Sequence, residues 1–434
     1  MTYTLADILP SVAASFGIAA ADPLGLVPHR DVVVLLIDGL GAELLARHRD
    51  VAPTLAAHVA TTLTAGFPAT TATSLTSLAI GAPCATHGVI GYTFAVPDVD
   101  GPRLLNALRW RLDTATGDDA MSTHPPETVQ QRPSRLQDLA AHGIEIHYVV
   151  PAYQRDSGLT RAAFRAPGTL HPAATLDELR AGILAAAMHP GVESRFTYAY
   201  FADLDATGHL HGPESPQWLA MLRQVDACVA ELLGELPATC SLLITGDHGM
   251  ILADNVIDLD ARSELHRDVR LIGGEARVRH IYLDNPAART DAHDCWSGGL
   301  STHATVVTRE QALDEHWFGP TPTDAIITAR IGDLIAVARG GTVLVRPERE
   351  PLESTLLGHH GAWTADEQLV PLITTTGALR ETAARALRDT AAGATSGSSA
   401  GATSVTVTAT ASGTPAGATF ETAVEATSAR ATAD

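Results

Sequence analysis

Apolar runs that stop at polar or glycine residues recur along the chain. The run at 32–37 (VVVLLI) is β-branched, apolar on both faces and followed by Asp38, which is typical of a buried parallel strand that ends at a loop. The segments 144–150, 196–205 and 241–249 have the same form. Stretches with helical spacing accompany them at 5–17, 135–142, 175–188 and 216–234. Strands that alternate with helices predict an α/β fold with a doubly wound, mainly parallel sheet and helices on both faces.

Two regions of different composition interrupt this alternation, at 92–135 and 263–345. We expect them to form small cap insertions that choose the substrate, within a catalytic domain spanning 1–381. From 382 to 434 the chain consists mainly of Ala, Thr, Ser and Gly. Because such a segment buries too little apolar surface to offset the entropy of ordering, it is predicted to be a disordered tail.

Charge narrows the choice of partners. The formal net charge is −20, with only 29 Lys plus Arg. Proteins that bind a nucleic acid polymer usually concentrate basic side chains on one face, so this class is disfavoured. An acidic protein that handles an anionic substrate still needs local positive charge, and bound metal ions are one source of it.

The chain shows no signal for export or membrane insertion. The first residues lack a basic start and contain Asp7 and Pro10, unlike a secretory signal, and no run approaches the roughly 20 apolar residues that span a bilayer. The four cysteines are irregularly spaced and predict neither a zinc ribbon nor a disulfide framework. We therefore expect a cytoplasmic enzyme with no membrane partner, of undetermined oligomeric state.

Two motifs carry adjacent carboxylate and imidazole groups just after apolar runs. In TGDHGM at 245–250, Asp247 and His248 lie between glycines that let the backbone bend close to an ion. In DLDATGHLH, Asp205 and His209 would share one helical face and could hold one cation, with Asp203 and His211 as alternative or supporting groups. A helix cap and a solvated loop are the plain alternatives for each motif.

Three further positions complete the pattern. Asp38 ends the first strand, and GHHG at 358–361 offers His360 as the histidine predicted to point inward. Thr71 begins the helix-compatible stretch 71–80, where free N–H groups would hold an anion beside its hydroxyl. Threonine is a weak nucleophile unless its pKa is lowered, for example by a metal ion. Taken alone, Thr70 or Thr71 would simply cap the helix.

The ordered set of motifs resembles the nucleotide pyrophosphatase/phosphodiesterase branch of the alkaline phosphatase superfamily, over roughly residues 30–375. The resemblance implies an alkaline phosphatase-like core and two divalent metal ions, most commonly zinc. It implies that Thr71 is the nucleophile, because Pro68 and Gly81 flank it at the family's spacing. One ion would be bound by Asp38, Thr71, Asp247 and His248, and the other by Asp205, His209 and His360.

The resemblance also implies a function, the hydrolysis of phosphodiester or nucleotide pyrophosphate bonds in a small phosphorylated substrate such as a nucleotide, through a phosphothreonine intermediate. A phosphomonoesterase or phosphonate hydrolase with the same two-metal site, or an inert module that binds a phosphorylated ligand, are the alternatives. Sulfatases and cofactor-independent mutases use other nucleophiles and are disfavoured. Tyr92 stands where the family commonly has an Asn that binds phosphoryl oxygens; Asn106, Arg277 or Arg279 are candidate substitutes.

Overall fold

A computed structural model describes residues 3–18, 21–114, 116–190, 193–322 and 324–374. The predicted tail at 382–434 lies outside these residues. The strands within them are β1 (Asp31–Ile37), β2 (Val59–Thr64), β3 (Thr93–Val96), β4 (Arg103–Asn106), β5 (Arg111–Leu112), β6 (Glu145–Val150), β7 (Thr169–Pro172), β8 (Arg195–Phe201), β9 (Cys240–Thr245), β10 (Ile251–Leu252), β11 (Asn255–Asp258), β12 (Val269–Glu275), β13 (Val278–Leu283), β14 (Ala304–Thr308), β15 (Leu334–Ala338), β16 (Thr342–Val345), β17 (Gly358–His359) and β18 (Leu369–Thr374).

The α-helices fill most of the segments between the strands. They are α1 (Ile8–Ser15), α2 (Ala42–Arg47), α3 (Pro53–Ala57), α4 (Thr71–Ile80), α5 (Cys84–His87), α6 (Pro126–Val129), α7 (Arg135–Ala141), α8 (Gly158–Ala163), α9 (Leu176–Ala187), α10 (Asp203–His211), α11 (Pro216–Glu235), α12 (Arg289–Gly299), α13 (Arg309–Asp314), α14 (Ala325–Arg330) and α15 (Ala365–Gln368).

A seven-stranded sheet forms the centre of the molecule, in the order β2-β18-β9-β1-β8-β6-β7. β1 pairs in parallel with both β8 and β9, and β6 continues the parallel arrangement to β7. β18 runs antiparallel to both β9 and β2. The predicted doubly wound, mainly parallel α/β sheet is therefore confirmed.

Successive side chains of β1 enter two separate cores, because neighbouring residues of a strand point to opposite faces. Val34 packs in a cluster with apolar side chains of α1, α4, α7 and α8. Leu35 packs in another with side chains of α2, α3, α9 and α11. The whole of β1 is buried, which explains why its sequence is apolar at every position.

Two smaller sheets come from the regions that interrupt the alternation. β3, β4 and β5 form a three-stranded sheet, and β12, β13, β15 and β14 form a four-stranded sheet. The two sheets contact each other: the Thr93 hydroxyl donates to the Gly274 carbonyl at 2.9 Å, and Ala95 N donates to the Tyr282 hydroxyl at 3.0 Å. Their assignment as caps, with the limits given above, stays a prediction.

Candidate active site

The seven side chains predicted from the motifs meet at one edge of the central sheet. Asp38 follows β1, and the Asp-His pair follows β9, its parallel neighbour; α10 starts just beyond β8, on the other side of β1. Since parallel strands end at a common edge, these groups are brought together by the topology. Thr71 begins α4 and His360 follows β17. The seven are Asp38, Thr71, Asp205, His209, Asp247, His248 and His360.

Three of these residues, Asp38, Asp247 and His248, form a fully buried group that could hold a metal ion. Nε2 of His248 lies 3.4 Å from Oδ1 of Asp38 and 3.4 Å from Oδ2 of Asp247. Oγ1 of Thr71 lies 3.2 Å from the same nitrogen. The hydroxyl at the start of α4 therefore faces the group directly.

Asp205, His209 and His360 form the second group. Nε2 of His209 lies 3.2 Å from Oδ2 of Asp205, one helical turn before it on α10. The ring of His360 stacks on that of His248 with centroids 3.5 Å apart, and lies 5.2 Å from the ring of His209. His360 thus links the two groups into one site.

The three imidazoles are oriented in the same way. Each Nδ1 is within hydrogen-bond distance of a backbone carbonyl oxygen, which can only accept. Nδ1 therefore carries the proton, and in the neutral ring the basic nitrogen Nε2 is turned toward the site. This is how metal-binding histidines are commonly fixed. The contacts are His209 to Gly358 at 2.7 Å, His248 to Gly249 at 2.9 Å and His360 to Ala69 at 2.9 Å.

The carboxylates fit cations equally well, because each has one oxygen that is anchored and one that is not. Asp247 Oδ1 accepts from Gly39 N and His248 N at 3.1 and 3.0 Å. Asp38 Oδ2 accepts from the Tyr200 hydroxyl, and Asp205 Oδ2 pairs with His209. The second oxygen of each is buried without a hydrogen bond to any described residue. Two of these oxygens, Asp38 Oδ1 and Asp247 Oδ2, lie near Nε2 of His248, and such carboxylate and imidazole groups match the N/O ligands of zinc.

Burial and neighbouring charges shift the pKa values of the carboxylates and imidazoles in this site. Burial, together with repulsion from Asp247 and Asp205, raises the pKa of Asp38 well above its usual range. Burial would also raise the pKa of Asp205, but the attraction of His209 lowers it below the usual range. Burial and the neighbouring His248 hold the pKa of His360 well below its usual value, so this ring is neutral and able to bind a metal.

A sequence profile of the type I phosphodiesterase/nucleotide pyrophosphatase family matches residues 32–363. The chain belongs to this family. The match begins within β1 and extends past His360, so it contains every member of the two groups. The sequence resemblance to nucleotide pyrophosphatases/phosphodiesterases is thereby confirmed.

Curated proteins match the sequence of this type I phosphodiesterase/nucleotide pyrophosphatase family member over short segments. Human ectonucleotide pyrophosphatase/phosphodiesterase family member 7 is 45% identical over 60 residues, 13% of each chain. GPI ethanolamine phosphate transferase 3 of Schizosaccharomyces pombe is 38% identical over 52 residues, 12% of this chain and 6% of that protein. These local matches cover a small fraction of the relatives' length.

Solved structures share the fold over much greater lengths. Murine ectonucleotide pyrophosphatase/phosphodiesterase 5 superposes with a TM-score of 0.58 at 19% identity, covering 79% of this chain and 87% of that one. Phosphonoacetate hydrolase from Sinorhizobium meliloti 1021, in complex with phosphonoacetate, gives 0.57 at 18% identity, covering 85% and 97%. The family's alkaline phosphatase-like architecture is therefore present here.

A cavity of about 770 Å³ opens beside Thr71, and family motifs alone miss several side chains that line it. Tyr200 anchors Asp38; its place on β8 opposite Leu36, in register with the end of β1, is the only signal that could have predicted this. Glu275, at the end of β12, reaches the cavity from the four-stranded sheet, and its Oε2 accepts from Tyr92 N at 3.1 Å. Nothing in the local sequence indicates that role.

The remaining histidines and acids of the motifs lie outside both groups. His211, at the end of α10, is exposed, and Asp203 begins that helix away from the cavity, so neither joins the ligand set within the described chain. His359, the other histidine of the GHHG motif, also points inward, although only His360 was predicted to do so. It is buried, because its ring packs edge-on against His209 and its Nε2 contacts the Leu356 carbonyl at 3.1 Å.

The candidate substitutes for the family's Asn are all engaged elsewhere. Arg277 binds both oxygens of Glu367, at 2.9 and 2.7 Å, and Arg279 binds Glu350 in the same way. The Asn106 amide oxygen accepts from the backbone N–H groups of residues 108 and 109. None of the three lines the cavity, so the suggestion that they bind phosphoryl oxygens is wrong.

Proposed function

We propose that this protein hydrolyses phosphodiester or nucleotide pyrophosphate bonds of small phosphorylated compounds, with Thr71 as the nucleophile and two divalent cations, zinc by preference, as cofactors. The observation that carries the proposal is the position of the Thr71 hydroxyl. Thr71 begins a ten-residue helix, and its Oγ1 lies 3.2 Å from Nε2 of His248, a member of one of the two groups with metal-binding chemistry.

Asp38, Thr71, Asp247 and His248 would hold one ion, and Asp205, His209 and His360 the other. When bound, the ions would supply positive charge at the phosphoryl oxygens and would lower the pKa of the threonine hydroxyl. The first backbone N–H groups of α4 have no carbonyl partner within the helix and would bind the phosphoryl oxygens beside Thr71. Attack by Oγ1 on phosphorus would release the leaving group and form phosphothreonine, which water then hydrolyses.

Two of the structural relatives support small phosphorylated substrates. An inactive threonine-to-alanine variant of murine ectonucleotide pyrophosphatase/phosphodiesterase 5 was solved in complex with AMP. The phosphonoacetate hydrolase was solved with phosphonoacetate and with phosphonoformate. The cavity beside Thr71 is lined by aromatic rings and arginines, Tyr148, Tyr153 and Arg155 among them. These side chains could contact the organic groups on either side of the phosphorus atom.

The test compares three substrates on zinc-restored protein: p-nitrophenyl phosphate, its thymidine 5′-monophosphate diester and phosphonoacetate. Preference for the diester supports the phosphodiesterase proposal, whereas preference for either of the others assigns the same site to a phosphomonoesterase or a phosphonate hydrolase. Turnover of none, with zinc bound, would leave an inert binding module.

The nucleophile is tested separately, by replacing Thr71 with Ala. We expect turnover to fall by at least about 10³-fold while the zinc content stays near that of the wild type. Thr73→Ala is the matched control, since this hydroxyl lies on the same helix but contacts the Val89 carbonyl at 3.4 Å. If Thr71→Ala and Thr73→Ala retain similar turnover, the nucleophile assignment is wrong.

A further inference from the structure

A second cluster of metal-binding side chains lies at the opposite edge of the central sheet. Glu145 begins β6, and it pairs in register with Arg195 at the beginning of β8, which pairs in turn with Asp31 at the beginning of β1. The candidate active site lies beyond the other ends of these strands. Any function of this cluster is therefore separate from the phosphoryl chemistry.

The cluster consists of Glu145, His147 and His189, whose ligand atoms all lie within 4.8 Å of one another. Nε2 of His147 is 3.4 Å from Oε2 of Glu145, and Nδ1 of His189 is 3.4 Å from Oε1 of the same carboxylate. Ligands bound tetrahedrally at about 2.0–2.1 Å lie roughly 3.3 Å apart, so the spacing suits one ion.

His147 has a buried ring nitrogen that forms no hydrogen bond within the described chain. Its side chain is completely buried, yet Nε2 makes no hydrogen bond to any described residue, and the same is true of Glu145 Oε2 and His189 Nδ1. Three unsatisfied polar atoms directed at one another are costly, because each has lost its water without gaining a partner. A cation between them would satisfy all three.

A neighbouring histidine holds His147 in the required orientation. Nδ1 of His147 lies 2.9 Å from Nε2 of His171 on the adjacent strand β7. With Nδ1 donating to His171, Nε2 of His147 is the basic nitrogen and faces Glu145. Burial lowers the pKa of His147 and of His171, which favours the neutral ring that a metal ion requires.

The positive charge of nearby Arg195 is compatible with a cation bound to this cluster. Arg195 Nε lies 3.9 Å from Glu145 Oε2, but its guanidinium is paired with Asp31 at 2.9 Å. Arg195 also donates to the His189 carbonyl and so positions that residue at the end of the turn after α9. The net local charge of the pair is zero, which leaves the Glu145 carboxylate to offset the ion.

We propose that Glu145, His147 and His189 bind a third divalent cation, of the borderline type that imidazole and carboxylate prefer, with zinc as the foremost candidate. The site joins β6 to the segment after α9 and leaves a coordination position for water. Its role is structural: it ties the outer strands of the parallel sheet to the helix that covers them.

The experiment titrates zinc into the full-length, chelator-stripped protein and measures bound metal by mass spectrometry after desalting. The wild type is expected to bind three ions per chain, and His189→Ala and Glu145→Gln two each. His142→Ala, at an exposed histidine three residues before Glu145, is the control and should bind three. Since His189 is partly exposed, its truncation leaves the fold intact, which equal zinc-free melting midpoints would verify.

Removing the active-site ligands separates this proposal from the proposed function. The double variant Asp205→Ala/Asp247→Ala should still bind one zinc, and zinc should raise its melting midpoint unless His189→Ala is added. If the candidate active site binds no zinc but the third site does, the wild type binds one ion and His189→Ala none. The third site is overturned if His189→Ala and Glu145→Gln bind as many ions as His142→Ala, in either background.

Discussion

The buried ion pair between Arg277 and Glu367 should control both the stability of the protein and the position of His360. Both side chains are completely inaccessible to solvent, and Arg277 donates two bonds to Glu367, at 2.9 and 2.7 Å, and a third to the Thr342 carbonyl. The same carboxylate accepts from Ala362 N at 2.8 Å and from the Thr364 hydroxyl at 2.6 Å. It therefore anchors the turn that carries His360.

Arg277→Met would leave the Glu367 charge buried without its partner. Breaking one side of such a pair costs about 3–5 kcal/mol. For a folded unit of the size of residues 3–374, the entropy of unfolding corresponds to about 0.8 kcal/mol per degree, so the melting midpoint should fall by about 5 °C. We also expect weaker zinc binding by the group that contains His360, because its turn loses its anchor.

Differential scanning calorimetry of chelator-treated protein measures the first effect, and zinc titration the second. Arg289→Met is the control, since Arg289 forms an exposed pair with Glu310 at 2.9 Å and its loss should shift the midpoint by about 1 °C or less. A midpoint for Arg277→Met within a degree of this control would refute the reasoning that the buried pair of Arg277 and Glu367 stabilises the fold.

Two further predictions concern groups beside the site. Burial raises the pKa of Glu275 from 4.5 to about 8, so the folded state binds more protons than the unfolded state between these values and loses stability as the pH rises through them. In metal-free protein, Glu275→Gln should match the wild type below pH 4 and exceed its free energy of unfolding by up to about 5 kcal/mol above pH 8. A difference between the two proteins that urea unfolding finds to be the same at every pH would disprove this. A Cβ at Gly249 would lie 1.9 Å from the Asp366 carbonyl oxygen, so Gly249→Ala should displace the Asp-His turn, lower the zinc content and reduce the free energy of unfolding by about 2–4 kcal/mol. Gly234→Ala in α11, with nothing within 4 Å of its Cβ, is the control and should be neutral or stabilising. Equal zinc content in both variants would contradict the prediction.

The sequence predicts much of the fold because its signals are local. The strand at 32–37 and the helix at 71–80 are visible in runs and spacings of a few residues, and the structure places them at Asp31–Ile37 and Thr71–Ile80. The segment after 201 is different: the apolar run ends there and α10 begins at Asp203. That helix is what puts Asp205 and His209 on one face, one turn apart.

Other features could not be predicted, since they depend on contacts between distant segments. β2 (VATTLT) is half polar, and it becomes a strand because β18 pairs with it from the far end of the described chain. The contact of Tyr200 with Asp38 spans 162 positions, and that of Glu275 with Tyr92 spans 183. The local sequence around these residues does not predict such contacts, because they depend on the register of the assembled sheets.

The interior position of β18 has a consequence for biosynthesis. This strand lies between β9 and β2 in the sheet, although residues 369–374 are the last that the structure describes. On the ribosome, β2 and the threonine that follows it emerge early, but their neighbour in the sheet and His360 emerge hundreds of residues later. Pairing across such a separation is slow, and β2 cannot complete its pairing with β18 until translation passes residue 374. The candidate active site therefore gains its last member, His360, late in synthesis, and a polypeptide interrupted before residue 360 would carry Thr71 without it.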